Sequence, residues 1–223
     1  RFDFAGDSKL GCPTNASPFH AMHQPACKGG CGGDYIMRIV LLGAPGSGKG
    51  TQAARLKSQL SIPHISTGEI LRAAVAAGTP LGQKAKAVME AGQLVSDEIV
   101  LGLLKERFAA ADVANGFLLD GYPRNLAQAQ ALDQLLAEIG MPVEHALQLD
   151  VAEASLLNRL AGRAQAEGRA DVNPESVAQR LRVYTEQTAP VIDYYASKAC
   201  LKRVAGEGSV DEINARLLAA LQG

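Results

Sequence analysis

A lysine among four glycines, Gly43-Ala44-Pro45-Gly46-Ser47-Gly48-Lys49-Gly50-Thr51, is the first place where residue type and spacing in this chain suggest chemistry. Glycines let a backbone wrap closely round a phosphate chain with its N–H groups aimed inward, and a helix N-terminus behind them adds a positive field. Lys49 then reaches the outer phosphates as a point charge. The general phosphate-loop pattern places Ser or Thr directly after the lysine, whereas here Gly50 intervenes and Thr51 follows. A second candidate is Asp120, which closes the apolar run Phe117-Leu118-Leu119. A carboxylate there is suited to hold Mg2+ through water beside phosphates. The third feature is cationic: Arg124, and then Arg159, Arg163, Arg169, Arg180 and Arg182, the last five crowded together with no lysine between them. Guanidinium forks bind phosphate oxygens in a bidentate way and never lose their charge. Phosphoryl transfer needs these parts, because it rests on positioning and electrostatics rather than on a protein nucleophile.

The elements that must position these groups are legible around them. Ile39-Val40-Leu41-Leu42 precedes the loop, and Ala53, Leu56 and Leu60 follow at helical spacing, giving strand, loop and helix. Short apolar runs predict strands over Tyr35–Leu42, Gly116–Leu119, His145–Val151 and Leu201–Val204. Helical stretches are expected near 50–60, 69–77, 81–91, 97–110, 125–138, 152–164, 174–198 and 210–221. Alternating strands and helices imply an α/β fold, a parallel sheet with helices on both faces and ligands outside the carboxyl ends of its strands. Ser96 is placed to cap the helix that begins Asp97-Glu98, and Asn173-Pro174-Glu175 supplies a cap, an N1 proline and an acidic first turn. Pro190 should kink or interrupt the long helix that contains it.

Composition narrows the field further. With 223 residues, 47% hydrophobic and 20% charged, the chain suits one well-buried core. A net charge of −1, few aromatics and no tryptophan argue against a nucleic-acid surface. No apolar run approaches the roughly 20 residues of a membrane span. Cys12, Cys27 and Cys31 lie in the first 36 residues and only Cys200 beyond, which points to a cytosolic body rather than a disulfide framework. Residues 1–36, rich in Gly, Pro, Ser and Asn and lacking a signal-peptide apolar core, are expected to be a disordered appendage, either an expression remnant, an upstream translated stretch or a native tail. A zinc clip from His20, His23, Cys27 and Cys31 is the functional rival, but the spacing matches no common finger.

The loop Gly43–Gln52, Ser66-Thr67-Gly68, Asp120-Gly121-Tyr122-Pro123-Arg124 with Gln128 four residues on, and Thr188-Ala189-Pro190 occur together in one order. From Met37 to Gly223 the chain closely resembles the adenylate kinases of the nucleoside monophosphate kinase family, which carry Gly-Thr after the lysine. The resemblance implies a phosphate-loop NTPase type of sheet with an AMP-binding insertion at 66–95 and a short lid at 162–172. It implies reversible Mg2+-dependent transfer, ATP + AMP ⇌ 2 ADP, in adenine nucleotide homeostasis, by a cytoplasmic monomer that binds ATP, AMP and ADP but no nucleic acid or membrane. By the same resemblance Gly46, Ser47, Gly48, Lys49, Gly50 and Thr51, with Arg159 and Arg163, hold ATP. Arg72 and Arg124 hold the acceptor phosphate, Thr67 and Gln128 read adenine with Leu94, Val95 and Gly121, and Arg169 and Arg180 complete the AMP side. Lys49, Arg124, Arg159, Arg163, Arg169 and Arg180 act on the transferring group, and Asp171 fixes arginine geometry.

Alternatives stay open at this point. Pyrimidine monophosphate kinases share the loop but typically carry Ala and Asn where Thr67 and Gln128 stand, so a UMP/CMP kinase is the weaker fit. A catalytically weakened regulatory module draws on Val172, where many relatives have a second Asp, while Glu69 in place of Asp keeps the charge. A GTPase or motor would leave Thr67, Arg124 and Gln128 unexplained. The lid has no cysteine quartet, so no structural zinc is expected there, and Gly162 and Gly168 are its candidate hinges.

Overall fold

A computed structural model describes residues 36–167 and 174–222. Strands β1 (Met37–Gly43), β2 (His64–Ser66), β3 (Gly116–Asp120), β4 (His145–Asp150) and β5 (Leu201–Ala205) form one parallel sheet in the order β2-β3-β1-β4-β5. Helices α1 (Lys49–Leu60), α2 (Thr67–Ala76), α3 (Pro80–Glu90), α4 (Asp97–Phe108), α5 (Leu126–Glu138), α6 (Glu153–Glu167), α7 (Pro174–Val183), α8 (Ala189–Ser197) and α9 (Val210–Gln222) connect and cover it.

Strand alternation divides the core in two. Ile39, Leu41, Leu118 and Leu147 point toward Ala53 and Leu56 of α1 and Leu217 of α9. Val40, Leu42, Phe117 and Leu119 point the other way, toward Leu104 of α4, Leu132 of α5 and Val191 of α8. Both faces of the sheet are therefore buried, as parallel crossover connections require. Burying each of these Leu or Ile side chains contributes about 1.5–3 kcal/mol. Phe108 and Phe117 meet with ring centroids 4.9 Å apart and extend the second core toward the lower end of β3.

Several expectations change. β2 is absent from the apolar runs because three residues are too few to show a period. Its register pairs Ser66 with Asp120, so it brings the Ser-Thr-Gly segment beside the end of β3. Ile36 precedes β1 instead of joining it, β4 ends at Asp150 before Val151, and α6 continues to Glu167. Gly162 therefore lies inside a helix, and the expected lid range begins on α6. Ser96 occupies the N-cap position of α4 but its side chain makes no cap hydrogen bond; Asp97 and Glu98 stand in that first turn as expected. Pro190 lies in the first turn of α8, and the preceding Tyr184–Thr188 forms a π-helical turn. A proline cannot supply the i→i−4 donor, and a wider turn accommodates the loss. Tyr35, the appendage with its possible zinc ligands, and Asn173 lie outside the described residues.

Candidate active site

Strand register fixes the site. Leu41 and Ser66 both pair with Asp120, so the loop after β1, the start of α2 and the end of β3 emerge at one edge of the sheet. Strand order reverses here about β1, with β2 and β3 on one side and β4 and β5 on the other, and such a switch point opens a crevice. The crevice is a cleft of about 810 Å³ lined on one side by the glycine-rich loop and on the other by Thr67, Arg72, Gly121, Arg124 and Gln128.

The loop is built for close approach. Gly46 has φ 85°, and a Cβ there would lie 2.8 Å from Leu160 Cγ and 3.0 Å from the Leu156 carbonyl of α6. Gly48, at φ 92°, is the N-cap of α1, where a side chain would be strained although the space is open. No acidic residue stands in the first turn of α1, so its positive end faces the cleft unopposed from within that turn. Lys49 Nζ donates to the carbonyls of Gly43 and Ala44 at 2.6 and 2.9 Å and approaches Ser47 Oγ at 3.4 Å. Ser47 is buried beneath the loop, while Gly50 and Thr51 line the cleft.

Asp120 is 8% exposed at the floor. Burial opposes its ionisation, but His64, Lys49 and Arg124 outweigh that and hold the carboxyl below its ordinary range. His64 Nε2 stands 3.6 Å from Asp120 Oδ2, too far for a true hydrogen bond. Among the described residues no cage of three or more His, Cys, Asp or Glu forms. One ionised carboxylate beside a phosphate loop fits Mg2+, which keeps most of its waters and shares phosphate oxygens.

Of the described arginines, Arg72, Arg124, Arg159 and Arg180 line the cleft, whereas Arg182 does not. Arg124 keeps an open side to the cleft, and its Nε donates to the Gly121 carbonyl at 2.7 Å. Desolvation lowers its pKa, Asp120 opposes that, and Arg180 and Arg72 lower it further. Three guanidinium groups thus share one small region, an arrangement suited to multiply charged anions. Arg180 Nη2 reaches the Met89 carbonyl at 3.5 Å and so lies over the end of α3. Arg159 donates to the carbonyls of Ser47 at 3.3 Å and Gly206 at 2.9 Å, tying α6 to the loop and to the turn after β5. The side chain of Arg163, and Gly168, Arg169, Asp171 and Val172 with the zinc-free lid expectation, lie outside the described residues.

On the other wall Thr67 Oγ1 donates to the Gly121 carbonyl at 3.0 Å, and Leu94 and Val95 supply an apolar flank. Gln128 is 2% exposed, its Oε1 accepting from the Arg124 N–H at 2.7 Å. Three further residues support this wall. Asp97 accepts from Gln128 Nε2 at 2.6 Å, Asn125 caps α5 through Gln128 N at 2.8 Å, and Thr188 donates to the Arg124 carbonyl at 2.7 Å. Their partners lie 31, 3 and 64 residues away; the Asn125 cap, being local, had a readable signal, and Thr188 stood in the Thr188-Ala189-Pro190 motif without its contact being legible.

The family model described as adenylate kinase matches residues 41–200. An adenylate kinase of Stenotrophomonas maltophilia (strain R551-3) is 63% identical over 187 residues, covering 84% of this chain and all of the relative. One of Xanthomonas campestris pv. campestris (strain B100) is 65% identical over 185 residues, covering 83% of this chain and 99% of the relative. A third, of Xanthomonas euvesicatoria pv. vesicatoria (strain 85-10), is 63% identical over 185 residues, with the same shares of 83% and 99%.

Proposed function

The chain belongs to the adenylate kinase family and is a phosphotransferase that interconverts ATP plus AMP with two ADP, and we propose how its residues divide that work. One observation carries the proposal: the phosphate loop and the Thr67–Arg72–Arg124–Gln128 wall face each other across a single cleft. Two nucleotides seated on those walls would bring donor and acceptor phosphates together at Lys49 and the arginines.

On the donor side the N–H groups of Gly46 to Thr51 and the positive end of α1 receive the ATP phosphates. Lys49 exchanges its carbonyl partners for phosphate oxygens, and Arg159 and Arg163 hold the nucleotide from α6. On the acceptor side Arg72 and Arg124 fix the AMP phosphate in line with the donor. Thr67 and Gln128 take the base, with Leu94, Val95 and Gly121 against it. Arg169 and Arg180 neutralise charge that spreads over the transferring group, with Asp171 orienting them. Asp120, kept ionised by its neighbours, would hold Mg2+ through water. The ion supplies neutralisation of the phosphate charge when bound. Closure of 66–95 and of the lid at 162–172 excludes the water that would otherwise hydrolyse ATP. The same proposal takes the enzyme to be a cytoplasmic monomer of residues 37–223 that binds no nucleic acid; the near-neutral charge supports the last point. Among the described residues no helix is long and apolar enough to cross a membrane.

The test is coupled ATP formation from MgADP, followed by a panel of monophosphate acceptors. AMP should be the fastest acceptor. Faster turnover of CMP or UMP would overturn the assigned base site, and tight binding of a two-nucleotide inhibitor without any turnover would favour a regulatory module.

A further inference from the structure

The amide of Gln128 is held from two sides by groups that bond it in one sense only. Its Nε2 donates to Asp97 Oδ1 at 2.6 Å, and its Oε1 accepts from the Arg124 backbone N–H at 2.7 Å. A carboxylate offers lone pairs, a peptide N–H offers only a proton, and an amide carries both. Turning the amide over would set oxygen against oxygen and N–H against N–H in a place where Gln128 is 2% exposed. Both bonds would be lost without water to replace them. Asp97 is itself gripped, since Asn125 Nδ2 reaches its two oxygens at 3.2 and 3.1 Å. Asn125 in turn accepts from Gln128 N at 2.8 Å and closes the ring of contacts. Thr67 is polarised in the matching sense. Its hydroxyl proton goes to the Gly121 carbonyl at 3.0 Å, so toward the cleft it offers lone pairs alone.

We propose that Asp97 is a positioning residue that sets purine selectivity by locking the Gln128 amide. The inference rests on the reading of Gln128 as the contact to the acceptor base. With Asp97 and Arg124 N satisfied, the amide retains one N–H and one lone pair. In the locked sense these match a 6-aminopurine, whose N1 accepts and whose N6 donates. A 6-oxopurine presents the reverse, an accepting O6 and a donating N1–H, and would need the amide inverted. Thr67, able only to accept there, adds to the rejection. Asp97 thus acts on the base without touching it.

AMP and IMP differ only at this edge, so the experiment compares them as acceptors with MgATP as donor. The variants are Asp97→Asn, which can donate to Gln128 as well as accept, Asp97→Ala, which orients nothing, Gln128→Ala, and Asp97→Asn with Gln128→Ala. The wild type should favour AMP strongly. Each Asp97 variant should lower the AMP-to-IMP ratio of kcat/KM by about tenfold or more, mainly through acceptor KM, with KM for MgATP within about twofold. Once Gln128 is removed, Asp97→Asn should change the ratio no further. An unchanged ratio in both Asp97 variants, with a lowered ratio in Gln128→Ala, overturns the role of Asp97 alone. An unchanged ratio in Gln128→Ala overturns the base-contact reading and this inference with it. Equal rises in KM for AMP and MgATP in both Asp97 variants mark general damage to the fold and also overturn the inference.

Discussion

Lys49 holds its ammonium against two carbonyls and near a hydroxyl of the loop that precedes it. The cation that is to meet phosphate therefore gathers the loop's own oxygens beforehand, and nucleotide phosphate only has to replace them. Lys49→Met removes that charge while keeping the length of the chain. Turnover should fall by at least about 10²–10³-fold, the usual effect of losing one preorganised donor to developing charge. Thermal melting should stay near that of the wild type, because the ammonium sits at the cleft and outside both cores. Full activity in the coupled assay would refute its role. Lys49, Asp120 and Arg124 stood out by residue type and position, whereas Thr67 and Gln128 were pointed to only by the family resemblance. Asp97 and His64 were not legible as site residues, and Thr188 was seen only as part of a motif, without its contact. Each acts through a partner in another element, and linear spacing carries no trace of a contact that only folding creates.

The pair α2–α3 shows what the elements contribute. A Cβ on Gly82 would fall 2.1 Å from the Ala74 carbonyl oxygen, so α3 begins directly against the backbone of α2. Thr79 fastens the join, accepting from Gly82 N at 3.0 Å and donating to the Ala74 carbonyl at 3.1 Å. Gly82→Ala must push the helices apart. Overpacking of this kind costs about 1–3 kcal/mol. The wall that carries Thr67 and Arg72 would shift, whereas the phosphate loop would not. Acceptor KM for AMP should rise several-fold with KM for MgATP nearly unchanged, and the melting temperature should drop by several degrees. Equal effects on both nucleotides would argue against a separate AMP-side element. A second element device is the π turn before Pro190. It sets Thr188 Oγ1 on the Arg124 carbonyl, and Thr188→Val should cost about 1 kcal/mol by removing that bond, read as a lower midpoint in denaturant. The proline announced an interruption in the sequence; the form it takes depends on packing of α8 against α5, which no single window of sequence contains.

At the scale of the whole molecule, two groups on opposite edges of function make stability depend on pH in the same direction. Asp120 has a depressed pKa despite its burial, so its contribution is present above the unfolded value of about 3.9 and is lost as pH falls through the folded value. His145, at the start of β4, is lowered first by desolvation and then by Lys202, with Glu144 opposing. It stays neutral when folded more readily than when unfolded. Its contribution is therefore complete above the unfolded value of about 6.5 and is lost as pH falls below that toward the depressed folded value. Melting temperature should decline between pH 7 and pH 5 mainly through His145, and Asp120 should add to the decline only nearer pH 4. His145→Gln should flatten the first part and leave the second. Parallel profiles for the wild type and His145→Gln across pH 5–7 would assign the slope to other groups. A profile that rises on acidification would reverse the sign argued for both.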